Sequence, residues 1–221
     1  FRQDCENSGE FRKRYEAVKR LEVIGVADTK AQESKMLELA LEGDDRRVVV
    51  FFREPGKASK FAAALVKKDV KPEQVVLLTG TQRGHERDLM ARDGGGLARF
   101  QGEGEERMYL VATSAGEVGI DLSGTRLVTS LDTAEHLIQR FGRLNRFGEA
   151  EEARAYVVYT PLKPGKDEDL LKALDFLQQL GGDASARRLF EMDEPVPFPA
   201  EPLMAPLNGW QFGRWSFTSV E

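Results

Sequence analysis

Cysteine and histidine are scarce in this chain of 221 residues, which contains one cysteine and two histidines. Cys5 therefore has no partner within the chain for a disulfide, and this composition favours a reducing, cytoplasmic environment. A structural zinc site needs four cysteine or histidine ligands, and the chain does not supply them. We therefore predict that the chain itself binds no metal.

Long apolar runs are also lacking. The longest stretch, at 48–52, is far too short to span a bilayer, and no basic segment followed by an apolar one opens the chain. We therefore expect no membrane partner. The first residue is Phe1 and not methionine, so we expect a piece of a longer protein.

Positive charge is not in excess. Lysine and arginine together number 32 against 37 acidic residues, which gives a formal net charge of -5. The molecule as a whole therefore does not attract phosphate, and any nucleic-acid binding must come from a local groove.

Predicted strands alternate with predicted helices along the chain. Strands are predicted around residues 21–26, 46–53, 74–79, 108–112, 126–131 and 155–160. Helices are predicted around residues 29–41, 57–68, 83–92, 134–141 and 167–180, and a flexible stretch at 93–106. Strands joined by helices predict an α/β fold with a mostly parallel sheet of about six strands, covered by helices on both faces. Ligands of such sheets bind at the carboxyl ends of the strands.

The composition changes after residue 182. Five prolines lie within residues 195–206, and two tryptophans and two phenylalanines lie within residues 210–217. We therefore predict a lobe at 1–182, with the first 20 or so residues as a candidate linker. Residues 183–221 are predicted to form an irregular proline-rich and aromatic C-terminal strap.

The most informative segment is QRFGRLNR at 139–146. On a helical backbone Arg143 and Arg146 would project in nearly the same direction, because they are three positions apart. Guanidinium groups keep their charge and bind phosphate oxygens in pairs, so two of them together suit a polyanion. Taken by itself, the segment is also compatible with a solvated basic helix end.

A second segment, TSAGEVGID at 113–121, follows the predicted fourth strand. Thr113 would lie at the carboxyl edge of the sheet, where it can donate a hydrogen bond to a backbone phosphate. Asp121 could accept hydrogen bonds from a ribose hydroxyl. For either residue alone, a tight loop with a helix N-cap is the simpler explanation.

Together these segments resemble the second motor domain of superfamily 2 helicases, which has a RecA-like fold. Residues 113–121 resemble motif V, residues 139–146 resemble motif VI (Q-R-x-G-R-x-x-R), and residues 48–52 resemble motif IV. The runs LIQRFGRLNR at 137–146 and LTGTQRG at 78–84 are similar to the CRISPR-associated helicase–nuclease of type I systems. The likeness covers about residues 46–160.

The resemblance implies a half-site for ATP. Arg143 and Arg146 would be arginine fingers that reach the phosphates of ATP held by a first RecA-like lobe, and Gln139 would help to organise that contact. Gly119 and Asp121 would lie beside the ribose or couple the ATP site to the nucleic acid. This interpretation requires that Arg143 and Arg146 are not buried in ion pairs within the lobe, turned away from the open edge of the sheet.

The resemblance also implies partners. Thr79, Gly80, Arg83 and Thr113 would contact the backbone of a nucleic acid, which is expected to be single-stranded DNA. A CRISPR surveillance complex is a further expected partner. No element that reads bases is apparent, so these contacts should be largely indifferent to sequence.

The phosphate-binding half of a motor is missing from the sequence. GKAS at 56–59 is not a phosphate loop, because Phe51 stands where its first glycine is required and Ala58 follows the lysine. The Mg²⁺ ion that accompanies ATP would therefore be held by the first lobe. No nuclease motif is found either, since His85 precedes Glu86 and His136 precedes Leu137.

Two alternatives stay open at the level of sequence. The chain could be a lobe of another superfamily 2 translocase, such as a fork-remodelling or DEAH-type enzyme. It could also be a non-catalytic RecA-like module that docks a protein partner, although both Arg143 and Arg146 are intact.

Overall fold

The computed structural model describes residues 9–80, 90, 92, 94–102, 104–117, 121–192 and 196–197. It contains six strands: β1 (Lys19–Gly25), β2 (Arg47–Phe51), β3 (Val75–Leu78), β4 (Met108–Ala112), β5 (Arg126–Ser130) and β6 (Ala153–Tyr159). They form one sheet in the order β1-β6-β5-β2-β4-β3, and every pair is parallel. The predicted α/β fold with a parallel sheet of six strands is confirmed.

Helices connect and flank the strands. They are α1 (Gly9–Glu16), α2 (Thr29–Leu41), α3 (Pro55–Val66), α4 (Gly96–Gln101), α5 (Ala134–Phe141), α6 (Glu168–Gln179) and α7 (Ala186–Phe190). No helix within the described residues is long and apolar enough to cross a membrane.

The core has two halves, one on each face of the sheet. Alternate residues of β2 separate them, because Val48 and Val50 pack against α2 and α3, whereas Val49 and Phe51 pack with α4, α5 and α6. All four side chains are fully buried. A strand that is apolar on both faces is typical of a parallel sheet between two helical layers.

The glycine-rich stretch at 93–106 was predicted to be flexible, and this prediction was wrong for the part that forms α4. Gly95 precedes the helix as its N-cap, while Leu97 and Phe100 are buried against the sheet. Arg47 fastens the stretch, because its guanidinium donates to the carbonyl oxygens of Phe100, Gly102, Gly104 and Glu106 at 2.6–2.8 Å.

The start of α2 also differs from expectation. Thr29 and Gln32 have the residue types and spacing of a capping box, but Asp28 is the N-cap and its carboxylate accepts a hydrogen bond from the Ala31 amide at 2.8 Å. The Gln32 side chain instead donates to the Val158 carbonyl at 2.7 Å, which ties α2 to β6.

Residues at both ends of the described chain pack together. Tyr15 of α1 contacts the ring of Phe190 of α7, with 6.2 Å between the ring centroids. The segment after residue 182 is joined to β1, since the Ala184 amide donates to the Lys19 carbonyl at 2.9 Å. The predicted strap lies mostly outside the described residues, because 193–195 and 198–221 are not among them.

Candidate nucleotide and nucleic-acid site

Two of the predicted nucleic-acid contacts lie at the carboxyl edge of the sheet. Thr79 follows β3 and Thr113 follows β4, and the Thr113 amide donates to the Leu78 carbonyl at 3.1 Å. Both threonines are buried, whereas Gly80 is exposed and a side chain there would meet no atom within 4 Å. Arg83 lies outside the described residues.

The segment 142–148, called the arginine loop below, is not helical. Helix α5 ends at Phe141, so the expectation that Arg143 and Arg146 project from one helix face was wrong. The loop runs beside Gly124 instead: the Gly124 amide donates to the Arg143 carbonyl at 2.9 Å, and the Asn145 amide donates to the Gly124 carbonyl at 2.8 Å. Gly124 precedes β5, which puts this backbone near the amino edge of the sheet and not the carboxyl edge.

Arg143 is buried, with 7% of its surface exposed. Its Nη2 donates to the Glu117 carbonyl, and among the described residues its Nε and Nη1 have no hydrogen-bond partner. Its partner is therefore a backbone oxygen and not a carboxylate. Buried guanidinium donors without partners are costly, which makes them candidates for an anion that arrives from outside.

Arg146 is more accessible. Its side chain is 31% exposed and its Nη2 lies 2.8 Å from Oδ1 of Asp121, whose side chain is 70% exposed. Arg146 thus does form an ion pair within the lobe, but on the surface, where such a pair is weak and easily exchanged. Its buried Nε has no partner among the described residues. Gly119 lies outside them, and Gln139 lies partly exposed in the last turn of α5.

Lys19 adds a third positive group that sequence reasoning missed. It is buried, and its Nζ donates to the Phe141 carbonyl at 2.9 Å, directly before the arginine loop. Burial and the charge of Arg146 lower the pKa of Lys19 to about 8. Burial and the charge of Arg146 likewise lower the pKa of Arg143. The charge of Arg146 therefore disfavours charge on both Lys19 and Arg143, as expected for a nearby group of like charge.

Asn145 holds the arginine loop in shape. Its side chain donates to the Ala150 carbonyl at 2.9 Å and accepts from the Ala150 amide at 3.1 Å. Beyond it, Gly148 has a φ of +68°, and a side chain there would collide with the backbone carbonyl of Lys13 in α1. The guanidinium of Arg14 lies 5.4 Å from the centroid of the Phe147 ring. Helix α1 therefore rests against the arginine loop.

Arg140 is a further residue to which the sequence assigned no role. Its side chain is 1% exposed, its Nε lies 2.7 Å from Glu117, and its Nη2 lies 2.5 Å from Asp132. His136 contacts the other oxygen of Glu117 at 2.5 Å. Arg140 belongs to the motif at 139–146, but its partner Glu117 lies 23 positions earlier. The spacing of residues within the motif therefore does not predict this ion pair.

The described residues do not gather three or more histidine, cysteine, aspartate or glutamate side chains into a possible metal site. What they gather is a cluster of cations: the charge of Arg146 acts on both Lys19 and Arg143, and the two arginines keep three buried donors without a hydrogen-bond partner among the described residues. Such an arrangement suits a polyphosphate.

Part of the chain matches a known protein family. Residues 44–149 match the family described as the CRISPR-associated nuclease/helicase Cas3, C-terminal. A search of curated proteins found no match.

Solved structures with the same fold include the E. coli DEAD-box protein SrmB, with 17% identity and a TM-score of 0.51 over 81% of this chain and 88% of that one. They also include the C-terminal domain of S. cerevisiae Dbp5, with 19% identity and a TM-score of 0.53 over 75% of this chain and 86% of that one. The ADP complex of T. fusca Cas3 gives 13% identity and a TM-score of 0.57 over 76% of this chain.

This chain spans only 22% of the T. fusca Cas3 chain. The chain therefore has the RecA-like fold of helicase C-terminal domains, and residues 44–149 are similar to the C-terminal domain of Cas3.

Proposed function

We propose that this chain is the second motor lobe of an ATP-dependent helicase or translocase and supplies arginine fingers to ATP bound by a first RecA-like lobe. The observation that carries the proposal is the set of unused buried donors on Arg143 and Arg146. Structures of T. fusca Cas3 with ATP, ADP and AMPPNP indicate that relatives of this fold bind adenine nucleotides. Mg²⁺ would be held by the first lobe.

The two arginines would have different parts. Arg146 is the accessible group, and a phosphate that approaches it can replace the exposed carboxylate of Asp121. Asp121 is then free to accept bonds from the ribose. Arg143 is more deeply buried than Arg146. Its Nε and Nη1 can donate to the phosphate without breaking a hydrogen bond, because neither atom has a partner among the described residues. Gln139 at the end of α5 and Gly119 are proposed to border the same site.

The test compares Arg146→Ala and Arg143→Ala in the two-lobe enzyme, meaning this lobe together with its first lobe. Loss of an arginine finger costs roughly 10³-fold or more in hydrolysis rate in related phosphoryl-transfer systems, and we expect this for Arg146→Ala. Arg187→Ala is the matched control, because its side chain is 62% exposed and its ion pair among the described residues is with Glu191 across one helical turn. Unchanged hydrolysis in both finger variants would overturn the proposal.

We further propose that single-stranded DNA crosses the carboxyl edge at Thr79, Gly80, Arg83 and Thr113. A helicase of similar fold, MrfA, has been solved bound to DNA and AMPPNP, with 16% identity and a TM-score of 0.50. Gly80→Asp tests this, because the open space around Gly80 admits a side chain and the new charge would repel phosphate. At about 1 kcal/mol of repulsion near the surface, DNA affinity should fall about fivefold.

Gly9→Asp is the control for that experiment, since Gly9 is equally unobstructed but begins α1, away from the carboxyl edge. Equal DNA affinity of the two variants, measured by fluorescence anisotropy, would refute the proposed path.

The match to Cas3 supports a role in type I CRISPR DNA interference, with a surveillance complex as the partner that delivers the DNA. In cells that rely on this helicase for interference, Arg146→Ala should abolish plasmid elimination. If the variant still eliminated the plasmid fully, the role in CRISPR interference would be wrong, and a motor function in another process would be the alternative.

A further inference from the structure

Arg140 lies at the centre of a buried polar network between the arginine loop and the sheet. Its Nε binds Glu117 at 2.7 Å, its Nη2 binds Asp132 at 2.5 Å, and its Nη1 donates to Oγ1 of Thr129 at 2.8 Å. The guanidinium also lies 5.2 Å from the centroid of the Phe51 ring. With 1% exposure and these donors engaged, Arg140 is not available to a phosphate.

Glu117 connects this network to Arg143 through two different parts of the residue. The carboxylate binds Arg140 with one oxygen and His136 with the other, while the backbone carbonyl accepts a hydrogen bond from Nη2 of Arg143. Burial by itself would raise the pKa of Glu117, but the hydrogen bond from His136 and the charge of Arg140 lower it overall. Glu117 is therefore held as a carboxylate although it is buried.

Glu117 is also joined rigidly to Thr113 on its other side. A single 3₁₀ turn, Ser114–Gly116, separates them, with the Gly116 amide donating to the Thr113 carbonyl at 2.9 Å and the Glu117 amide to the Ser114 carbonyl at 3.0 Å. Gly116 packs so closely on Ala112 and Phe51 that a side chain there would clash. The turn therefore has little room to change shape.

A buried ion pair contributes little net stability compared with apolar packing, because both charges lose their water. What the network supplies is a fixed position for the Glu117 carbonyl. We propose that Glu117 is a positioning residue for Arg143, acting through Arg140, so that the turn after β4 and the arginine loop move as one unit. This inference rests on the proposed function of Arg143, and it adds a physical link between the nucleic-acid edge and the ATP half-site.

The test uses Glu117→Gln in the two-lobe enzyme, with Arg140→Lys as a second variant that cannot hold Glu117, Asp132 and Thr129 together. Glu135→Gln is the matched control, because Glu135 is an exposed carboxylate on α5, one residue before His136. Misplacing a catalytic group by ~1 Å costs up to about 100-fold in rate, so kcat should fall at least tenfold in both variants. KM for ATP should change by less than about twofold, since the group is displaced and not removed.

A second measurement separates positioning from stability. In the 221-residue chain, ¹⁵N NMR should show distinct signals for Nη1 and Nη2 of Arg143 when Nη2 is held by the Glu117 carbonyl. Glu117→Gln should let the guanidinium rotate and merge these signals, whereas Glu135→Gln should not. If Glu117→Gln does not fold, His136→Gln replaces it. His136 is partly exposed, and its replacement weakens the contact that holds the Glu117 carboxylate.

The outcomes distinguish this inference from the proposed function. If Arg143→Ala and Arg146→Ala impair hydrolysis but the Glu117 and Arg140 variants do not, the positioning role is wrong and the motor function stands. If neither arginine finger variant impairs hydrolysis, the proposed function fails whatever Glu117 does.

Discussion

Asn145 occupies the left-handed region of backbone conformation, with a φ of 41°, in the middle of the arginine loop. Asparagine adopts this region more readily than most residues, and its side chain here forms both bonds to Ala150. We expect Asn145→Ala to lower the free energy of unfolding by about 1–3 kcal/mol, because it loses two partly buried hydrogen bonds and retains the strained φ.

Asn145→Gly separates the two contributions. Glycine also lacks the two side-chain hydrogen bonds, but it adopts a positive φ without strain, so it should be less destabilising than alanine. Urea unfolding of the two variants measures the difference. Greater stability of the alanine variant would show that the loop does not keep this conformation.

Lys19 predicts a pH dependence of stability. Its pKa is lowered from 10.5 to about 8 in the folded chain, so between these values the unfolded state binds more protons. Its destabilising effect is fully present below about pH 8 and is relieved as the pH rises toward 10.5. We expect the free energy of unfolding to gain a contribution of a few kcal/mol across that window.

Lys19→Met should abolish this contribution, whereas Lys60→Met, which changes an exposed lysine of α3, should keep it. Urea unfolding at a series of pH values measures both. A wild-type chain whose stability does not rise relative to Lys19→Met above about pH 8 would contradict the assignment.

At the scale of single residues, the sequence predicted which arginines belong to the candidate site but not how buried they are or what they contact. The motif at 139–146 identified Arg143 and Arg146 as a pair, but not that Arg143 is 7% exposed. Its buried side chain donates to the backbone carbonyl of Glu117, which lies 26 positions earlier. Spacing within one segment does not encode such a contact, and for the same reason Arg140 and Lys19 were given no role.

At the scale of elements, α4 gives the sharpest test of the core. Phe100 is 1% exposed between α4 and the sheet, so Phe100→Ala should cost about 3–5 kcal/mol by leaving a cavity. Phe190→Ala is the matched control, because Phe190 is 74% exposed and its loss should cost well under half as much. Thermal unfolding of the two variants compares them. Equal losses would mean that α4 does not pack as described.

The elements also show which patterns were readable. Strand β4 (Met108–Ala112) and helix α5 (Ala134–Phe141) were predicted with the bounds they have, because an apolar run and an amphipathic period are local signals. Helix α4 was missed because the run of three glycines at 94–96, the last of which begins the helix, indicates flexibility. The contact that fastens this stretch comes from Arg47, which lies 55 positions before Gly102 in the sequence.

For the whole molecule, the absence of a phosphate loop from the sequence predicts that the 221-residue chain hydrolyses ATP no faster than a buffer blank. Phosphate release measured on the purified chain, with and without single-stranded DNA, tests this. Addition of the first lobe should restore turnover. Turnover by the chain alone that is lost in Arg146→Ala would mean that a complete site exists here.

The contact between α1 and Gly148 has a practical consequence. The carbonyl of Lys13 closes over Gly148 so tightly that only glycine fits, and the neighbouring Arg14 covers Phe147. A fluorophore attached to the exposed face of α1 would therefore lie close to the arginine loop, which we propose to contact the nucleotide. If the arginine loop changes position when ATP binds, as the proposed function implies, such a label on α1 would report that change as a change in fluorescence.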